Sequence, residues 1–114
     1  KMAVATSTDR PMVEAALKRT GLFSYFEQIF TCTEVGKGKV APDIYYAAAD
    51  ILETEPKNTL VFEDALYAIG TAKKAGFVTV GVYDDASRKE QGKIKEQADI
   101  YLEGFVSAVE SLQR

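Results

Sequence analysis

Short apolar runs alternate with amphipathic stretches along the whole chain. Runs rich in Val, Ile, Leu and Phe predict strands at Met2–Thr6, Gln28–Cys32, Thr59–Phe62, Val78–Val82 and Ile100–Leu102. The stretches between them repeat apolar residues at helical spacing. Strands that alternate with helices of about ten residues predict parallel βαβ units.

Helix boundaries are marked by proline and glycine. Pro11 suits the first turn of a helix that Gly21 ends, and Pro42 opens a second helix. A third helix is predicted over Ala65–Ala75, with Gly76 as its stop. The apolar face predicted for the second helix consists of Ile44, Ala47, Ala48, Ile51 and Leu52.

The carboxyl-terminal third of the chain carries weaker signals. Ser87 and Glu90 have the spacing of a capping box, which predicts a helix running to about Ala98. A closing helix is predicted over Phe105–Leu112. The group Pro56–Asn58 is typical of a turn.

The alternation predicts an α/β fold, a three-layer Rossmann-like arrangement with a parallel sheet and helices on both faces. Right-handed crossovers between parallel strands place the helices on the two faces. Ligands of such sheets bind beyond the carboxyl ends of the strands. Polar residues that directly follow a strand are therefore the first candidates for chemistry.

Composition narrows the chemistry. The chain has 114 residues, enough for one domain, and a net charge of −3. No broad basic surface is expected, so nucleic acid and anionic membranes are not expected partners. No apolar run approaches the roughly 20 residues of a membrane span. The chain has no histidine, which removes histidine-based catalytic and metal sites within it.

The single cysteine, Cys32, excludes an internal disulfide and favours a reducing compartment, hence the cytoplasm. Because it ends an apolar strand and no histidine is available to activate it, we interpret it as a small core residue. The adjacent Tyr45 and Tyr46 are interpreted as packing residues on the buried and exposed sides of a helix.

Three polar clusters stand at predicted strand ends or in the loops beside them. Thr6, Ser7 and Thr8 offer hydroxyls and amides for an anion, or cap the helix that begins near Pro11. Both interpretations stay open on the residues alone.

The second cluster is the acidic pair Glu63 and Asp64 after a buried strand. Two adjacent carboxylates repel each other, and Mg²⁺ favours one or two carboxylates plus waters and phosphate. The alternative is capping of helix 65–75 through its dipole. The third candidate is Lys39, which could neutralise phosphate oxygens as a point charge, whereas Lys37 is interpreted as solvated.

The three clusters occur in an order that resembles the haloacid dehalogenase-like hydrolases. Val4–Thr8 is similar to the second signature of that family, a strand ending in Ser or Thr. Gly38–Asp43 resembles the third signature of its phosphoglucomutase-like branch, and Leu60–Asp64 followed by Ala75-Gly76 resembles the fourth. Ala98–Leu102 is similar to the family's final strand.

The resemblance implies a role for each candidate residue. Thr6 and the amide of Ser7 would bind the transferred phosphoryl group, and Lys39 would balance its charge. Asp64 would ligate Mg²⁺, with Glu63 ligating it or orienting a bound water. The implied reaction is phosphoryl transfer through an aspartyl-phosphate, by a phosphatase or phosphomutase, on small phosphorylated metabolites such as sugar phosphates.

The sequence departs from the family pattern chiefly by an absence. The Asp-x-Asp motif of the first signature, which supplies the nucleophile, does not occur, and neither does the helical cap. The resemblance therefore implies that residues 1–114 are the carboxyl-terminal part of the core domain, lack the central strand and are inactive alone. A partner strand, a swapped dimer or direct pairing of the strand that bears Thr6 with the strand that bears Asp64 would close the gap.

Two other classes of protein stay in view. The first is a non-catalytic doubly wound module that senses phosphate or binds another protein. The second is a receiver-like or flavodoxin-like domain, which the lack of an isolated strand-end aspartate of the receiver type makes less favoured.

Overall fold

The computed structural model of the chain describes residues 1–104. The chain divides into two compact units, Lys1–Glu55 and Pro56–Arg114. The helix predicted over Phe105–Leu112 lies outside the described residues.

The first unit contains two strands and three helices. In chain order these are β1 (Val4–Thr6), α1 (Arg10–Arg19), β2 (Ile29–Thr31), α2 (Cys32–Val35) and α3 (Asp43–Ile51). β1 and β2 pair in parallel, with Thr6 opposite Thr31, and α1 lies in the crossover between them. The two predicted strands are confirmed, in shorter form than the apolar runs suggested.

The boundaries of α1 follow the proline and glycine signals. Pro11 lies in the first turn, and Gly21 follows the helix with φ of 75°, a left-handed conformation that favours glycine. Asp9 is the N-cap residue, and its side chain makes no capping hydrogen bond. The expected alternative, in which Thr6, Ser7 or Thr8 caps this helix, is therefore wrong.

The buried face of α3 differs from the prediction. Ile44 is fully buried as predicted, but its companions in the core are Tyr45 and Ala49, and Ile51 is 44% exposed. Tyr46 is exposed, so the opposite environments predicted for the two tyrosines are confirmed. The buried face of α3 is therefore rotated from the predicted one and contains Tyr45 and Ala49 in place of Ile51.

The second unit contains three strands and two helices in its described part. In chain order these are β3 (Leu60–Glu63), α4 (Leu66–Lys74), β4 (Val78–Val82), α5 (Gln91–Gln97) and β5 (Ile100–Leu102). The strands form one parallel sheet in the order β3-β4-β5. Fully buried among the described residues of this unit are Ala68, Ile69, Ala72, Thr79, Val80 and Ile94.

Close packing of α5 on β4 depends on a glycine. A Cβ atom at Gly81 would lie 2.6 Å from Cγ2 of Ile94 and 3.3 Å from Cβ of Ala98. Since real Cβ atoms do not approach other atoms this closely, only glycine lets the helix lie at this distance from the strand.

The start of α5 corrects a prediction. Ser87 does not cap a helix; it lies with non-helical φ and ψ inside a 3-10 segment, Asp85–Glu90. The α-helix begins only at Gln91, whose side-chain amide donates to the Ser87 carbonyl at 3.0 Å. The spacing of Ser87 and Glu90 was therefore misleading.

All observed strand pairs are parallel and helices connect them, which confirms the α/β fold class with parallel sheets. The strands form two sheets, β1-β2 and β3-β4-β5. Among residues 1–104, no helix is both long enough and apolar enough to cross a lipid bilayer.

Candidate functional site

Thr6 is the last residue of β1, and the chain turns sharply after it. The Thr6 Oγ1 atom accepts a hydrogen bond from the amide of Thr8 at 3.0 Å. This bond uses a lone pair of the hydroxyl, so its proton is still available for donation to a ligand. Thr6 is half-buried and Ser7 is exposed. The turn thus places a hydroxyl donor and an exposed serine at the carboxyl end of a parallel strand.

The segment after β1 contacts the segment after β2 through three successive pairs. The Ser7 Oγ atom lies 3.7 Å from the Sγ atom of Cys32. The hydroxyl of Thr33 donates to Asp9 at 2.8 Å. Cys32 is half-buried at the start of α2, so it is not the buried core residue expected.

The third pair is the ion pair between Arg10 and Glu34. Arg10 donates from Nε and Nη2 to the two oxygens of Glu34, each at 2.8 Å, and from Nη2 to the carbonyl of Ile29 at 2.6 Å. The hydrogen bond from Arg10 holds the pKa of Glu34 below its usual range. This forked geometry links α1, β2 and α2.

Lys39 lies in the loop between α2 and α3. Gly36 ends α2 with φ of 84°, and its amide donates to the carbonyl of Cys32 at 2.9 Å. A turn then closes from the amide of Ala41 to the carbonyl of Gly38 at 3.1 Å. Lys39 is half-buried within this turn, whereas Lys37 is exposed, in accordance with its interpretation as a solvated residue.

Glu63 and Asp64 stand at the carboxyl end of β3 in different environments. Glu63, the last strand residue, is 8% exposed, and Asp64 is exposed directly after it. The N-cap residue of α4 is Ala65, so neither carboxylate occupies the capping position predicted as the alternative.

The acidic pair has the chemistry that a magnesium ion requires. An exposed carboxylate beside a buried one can offer one direct ligand and one group that orients a bound water, which suits the preference of Mg²⁺ for few carboxylates and several waters. Among residues 1–104 no group of three or more Asp, Glu, Cys or His side chains forms a denser metal cluster.

The predicted residues are distributed over the two units. Thr6, Ser7 and Lys39 belong to the first unit, and Glu63 and Asp64 belong to the second. Within the first unit, the contacts between the segments after β1 and β2 link the turn of Thr6 to the helix that precedes the Lys39 loop.

A groove of about 470 Å³ lies beyond the carboxyl ends of β4 and β5 in the second unit. Its lining consists of Tyr83, Arg88, Gln91, Lys95, Tyr101 and Glu103. The Tyr101 hydroxyl donates to Gln91 at 2.5 Å, and the bond from Tyr83 to Asp85 raises the pKa of the Tyr83 phenol. None of the sequence-predicted site residues lines this groove.

Sequence reasoning missed Arg10 and Glu34. Both follow a strand by no more than four residues, and each is therefore near a carboxyl strand end, where the candidates were sought. The available signal was that Arg10 is close in sequence to Thr6 and Glu34 to Lys39. This signal could not indicate that Arg10 and Glu34, 24 positions apart, form an ion pair.

Parallel α/β sheets bind their ligands beyond the carboxyl ends of their strands, which is where β1 and β3 carry the predicted Thr6, Glu63 and Asp64. The family model described as haloacid dehalogenase-like hydrolase matches residues 1–76, a range that contains all five predicted site residues. The chain belongs to the haloacid dehalogenase-like hydrolases.

Relatives place the chain in the phosphatase and phosphomutase branch of that family. Validoxylamine A 7'-phosphate phosphatase of Streptomyces hygroscopicus subsp. limoneus is 37% identical over 81 residues, which are 71% of this chain and 38% of that protein. Beta-phosphoglucomutase of Bacillus subtilis is 38% identical over 66 residues, 58% of this chain and 29% of that protein.

A solved structure extends the similarity to the fold. The crystal structure of a CbbY mutant from Rhodobacter sphaeroides, in complex with xylulose-(1,5)bisphosphate, superimposes with a TM-score of 0.81 at 31% identity. The match covers 92% of this chain and 47% of that one. The chain therefore spans about half the length of this structure, and it spans less than half the length of each of the two relatives named above.

Proposed function

We propose that residues 1–114 are the carboxyl-terminal part of the core domain of a magnesium-dependent phosphoryl-transfer enzyme. Its substrates would be small phosphorylated metabolites, sugar phosphates above all. One observation carries the proposal: Thr6 ends β1, Lys39 lies in the loop after α2 and Asp64 follows β3, in the order that the family resemblance implies and inside the range that the family model matches. The names of two relatives, a validoxylamine A 7'-phosphate phosphatase and a beta-phosphoglucomutase, support the substrate class.

The first unit would bind the phosphoryl group. The Thr6 hydroxyl, which accepts from the Thr8 amide and keeps its own proton for donation, would donate to one phosphoryl oxygen and the Ser7 amide to another. Lys39 would offset negative charge on these oxygens as a half-buried point charge. Such preorganised donors are the main contribution a protein makes to phosphoryl transfer.

The acidic pair would hold the cofactor. Asp64 would ligate Mg²⁺ directly, and the buried Glu63 would ligate it or orient one of its waters. The ion would supply neutralisation of the phosphoryl charge when bound. The exposed Asp64 and the buried Glu63 would together hold the cation at the end of β3.

Covalent catalysis would need a nucleophile that residues 1–114 do not provide. No Asp-x-Asp motif occurs in the sequence. The aspartyl-phosphate would form on a strand from elsewhere. That strand would also pair with β1 or β3, since each of these has a single strand neighbour among the described residues. That strand would come from the same longer chain, a partner or a swapped copy. The sole cysteine, Cys32, supports a reducing, cytoplasmic location.

The proposal is tested by activity in two forms of the protein. The purified 114-residue chain should show no Mg²⁺-dependent hydrolysis of p-nitrophenyl phosphate or of sugar phosphates. In a longer protein that contains this chain together with the nucleophile strand, Lys39→Ala and Asp64→Asn should each lower kcat about 100-fold or more. Lys37→Ala and Asp50→Asn are the matched controls and should leave kcat unchanged.

Two results would contradict the proposal. Efficient turnover by the isolated chain would mean that the nucleophile lies within residues 1–114. Unchanged turnover of Asp64→Asn would remove that residue from the metal site. A non-catalytic phosphate-binding module is the second candidate, favoured for the isolated chain by its lack of an Asp-x-Asp motif. It predicts that phosphate binds the chain while every assembled form stays inactive.

A further inference from the structure

We infer that Arg10 is a positioning residue, which fixes the turn of Thr6 and Ser7 relative to the loop of Lys39. The inference rests on the proposed function, since it concerns the anion-binding half of that site. Arg10 itself touches neither substrate nor metal in this scheme; it acts through Glu34 and the end of β2.

The contacts of Arg10 are those of an orienting group. Its guanidinium donates to both oxygens of Glu34 at 2.8 Å and to the carbonyl of Ile29 at 2.6 Å, with a longer contact of 3.4 Å to Glu14. A bidentate bond between guanidinium and carboxylate fixes the relative orientation of two planes, which a single ammonium bond cannot do.

Arg10 and Glu34 are well placed to transmit that orientation. Arg10 is the first residue of α1, four positions after Thr6. Glu34 lies in α2, which ends at Gly36, three positions before Lys39. The pairs Ser7–Cys32 and Asp9–Thr33 join the same two segments, so Arg10 completes a row of three contacts between them.

Exposure indicates that this ion pair orients rather than stabilises. The side chains of Arg10 and Glu34 are 36% and 49% exposed. Exposed ion pairs add little to stability because water competes for both partners. Loss of the pair should therefore leave the fold intact while it loosens the two loops, and a donor displaced by about 1 Å loses much of its effect on a bound anion.

The test measures binding of inorganic phosphate to the 114-residue chain by ¹⁵N–¹H NMR titration, with thermal melts of every variant. In the wild type, the amides of Thr6, Ser7 and Lys39 should shift on titration. Arg10→Met should raise the phosphate Kd about five- to tenfold with little change in Tm. This factor is the expected effect of weakening about one hydrogen bond between the displaced donors and phosphate. Arg19→Met, at the exposed end of the same helix, is the matched control and should bind as the wild type does.

Two further variants separate positioning from simple charge. Arg10→Lys keeps the positive charge but not the fork, so positioning predicts little rescue, whereas direct attraction of phosphate by residue 10 predicts full rescue. Glu34→Gln removes a negative charge near the anion. Direct electrostatics predicts tighter binding for this variant, and positioning predicts weaker binding, similar to Arg10→Met.

The outcomes distinguish the inference from the function on which it rests. If the wild type shows no shifts at Thr6, Ser7 and Lys39, or if Thr6→Ala binds phosphate unchanged, the proposed function fails and the inference with it. If those shifts occur but Glu34→Gln binds equally well or more tightly, Arg10 does not position the site, while the proposed function stands. Because the affinity of Glu34→Gln tests positioning independently, the inference can still be refuted if Arg10→Met fails to fold.

Discussion

Replacement of Thr79 by valine should destabilise the second unit through loss of hydrogen bonds alone. Thr79 is fully buried in β4. Its hydroxyl donates to Oδ2 of Asp99 at 3.0 Å and accepts from the amide of Asp99 at 3.1 Å. Valine has nearly the same shape, so Thr79→Val removes these two bonds without opening a cavity. The backbone bond from the Thr79 amide to Asp99, 2.8 Å, is retained.

The magnitude follows from the partners. A hydrogen bond to a carboxylate contributes about 1.5 to 3 kcal/mol, and a donor left without an acceptor costs about 1 kcal/mol or more. The Asp99 side chain is 40% exposed, so water replaces part of the loss at the carboxylate, and the lower end of the range applies. We expect a decrease of about 2 to 3 kcal/mol in the free energy of unfolding, or about 10 °C in Tm.

Thermal melts followed by circular dichroism provide the assay. Thr71→Val is the matched control, since the Thr71 hydroxyl bonds only to the carbonyl of Tyr67 within the same helix, and it should change stability by less than about 0.5 kcal/mol. Equal stability of the two variants would refute the reasoning.

Low pH should reduce the difference in stability between Thr79→Val and the wild type. The pKa of Asp99 is lowered, first by the backbone bond from Thr79, then by bonds from Lys73 and the Thr79 hydroxyl. A lowered folded-state pKa contributes stability that is present above the unfolded value, about 4, and is lost as pH falls through the folded value. The wild type therefore loses more stability than the variant as the pH falls from neutral to below about 4. A Tm difference that stays constant over this range would exclude the hydroxyl as a cause of the shift.

Two further predictions concern packing. Gly81→Ala would place a Cβ atom 2.6 Å from Ile94 and should lower the free energy of unfolding, measured by urea denaturation, by about 1 to 3 kcal/mol. Gly92→Ala is the control: its position in α5 has open space around it, so the substitution should be neutral or stabilising by up to about 1 kcal/mol. Equal effects of the two substitutions would contradict the close packing of helix and strand. Ile44→Ala should cost about 2 to 5 kcal/mol because Ile44 is fully buried, and Ile51→Ala less than about 1 kcal/mol because Ile51 is 44% exposed. Equally large costs in the same assay would support the apolar face predicted from sequence, which contained both residues.

The sequence predicted the strands well where the apolar signal was continuous. Val78–Val82 is observed with the predicted bounds because four of its five residues are β-branched, Gly81 being the exception, and because a glycine-containing segment precedes it and an acidic one follows. Strand-end reasoning also placed Thr6 and Asp64 correctly at carboxyl ends. These successes rely on local pattern alone.

The errors arise where local pattern is ambiguous. In α3 the alanines fit either side of the helix, so the helical spacing could not decide between the faces that contain Ile51 and Tyr45. At Ser87 the capping spacing competed with a 3-10 segment that the hydrogen bond from Gln91 stabilises. Tertiary contacts decide both cases.

The anion-binding half of the candidate site shows the same limit. Thr6 and Lys39 could be selected from their places beside strands and helix starts. The ion pair of Arg10 and Glu34 could not, because surface arginines and glutamates are common and nothing in their spacing marks a pair.

Each described strand pair joins two strands that are consecutive in the chain: β1 with β2, β3 with β4, and β4 with β5. Each such pairing closes only the loop formed by one intervening helical connection, so the entropy lost in reaching it is small. Pairing of strands that are neighbours in the chain keeps the contact order lower than pairing of strands from distant segments would. Each unit can thus begin to acquire its structure as soon as its own segment leaves the ribosome.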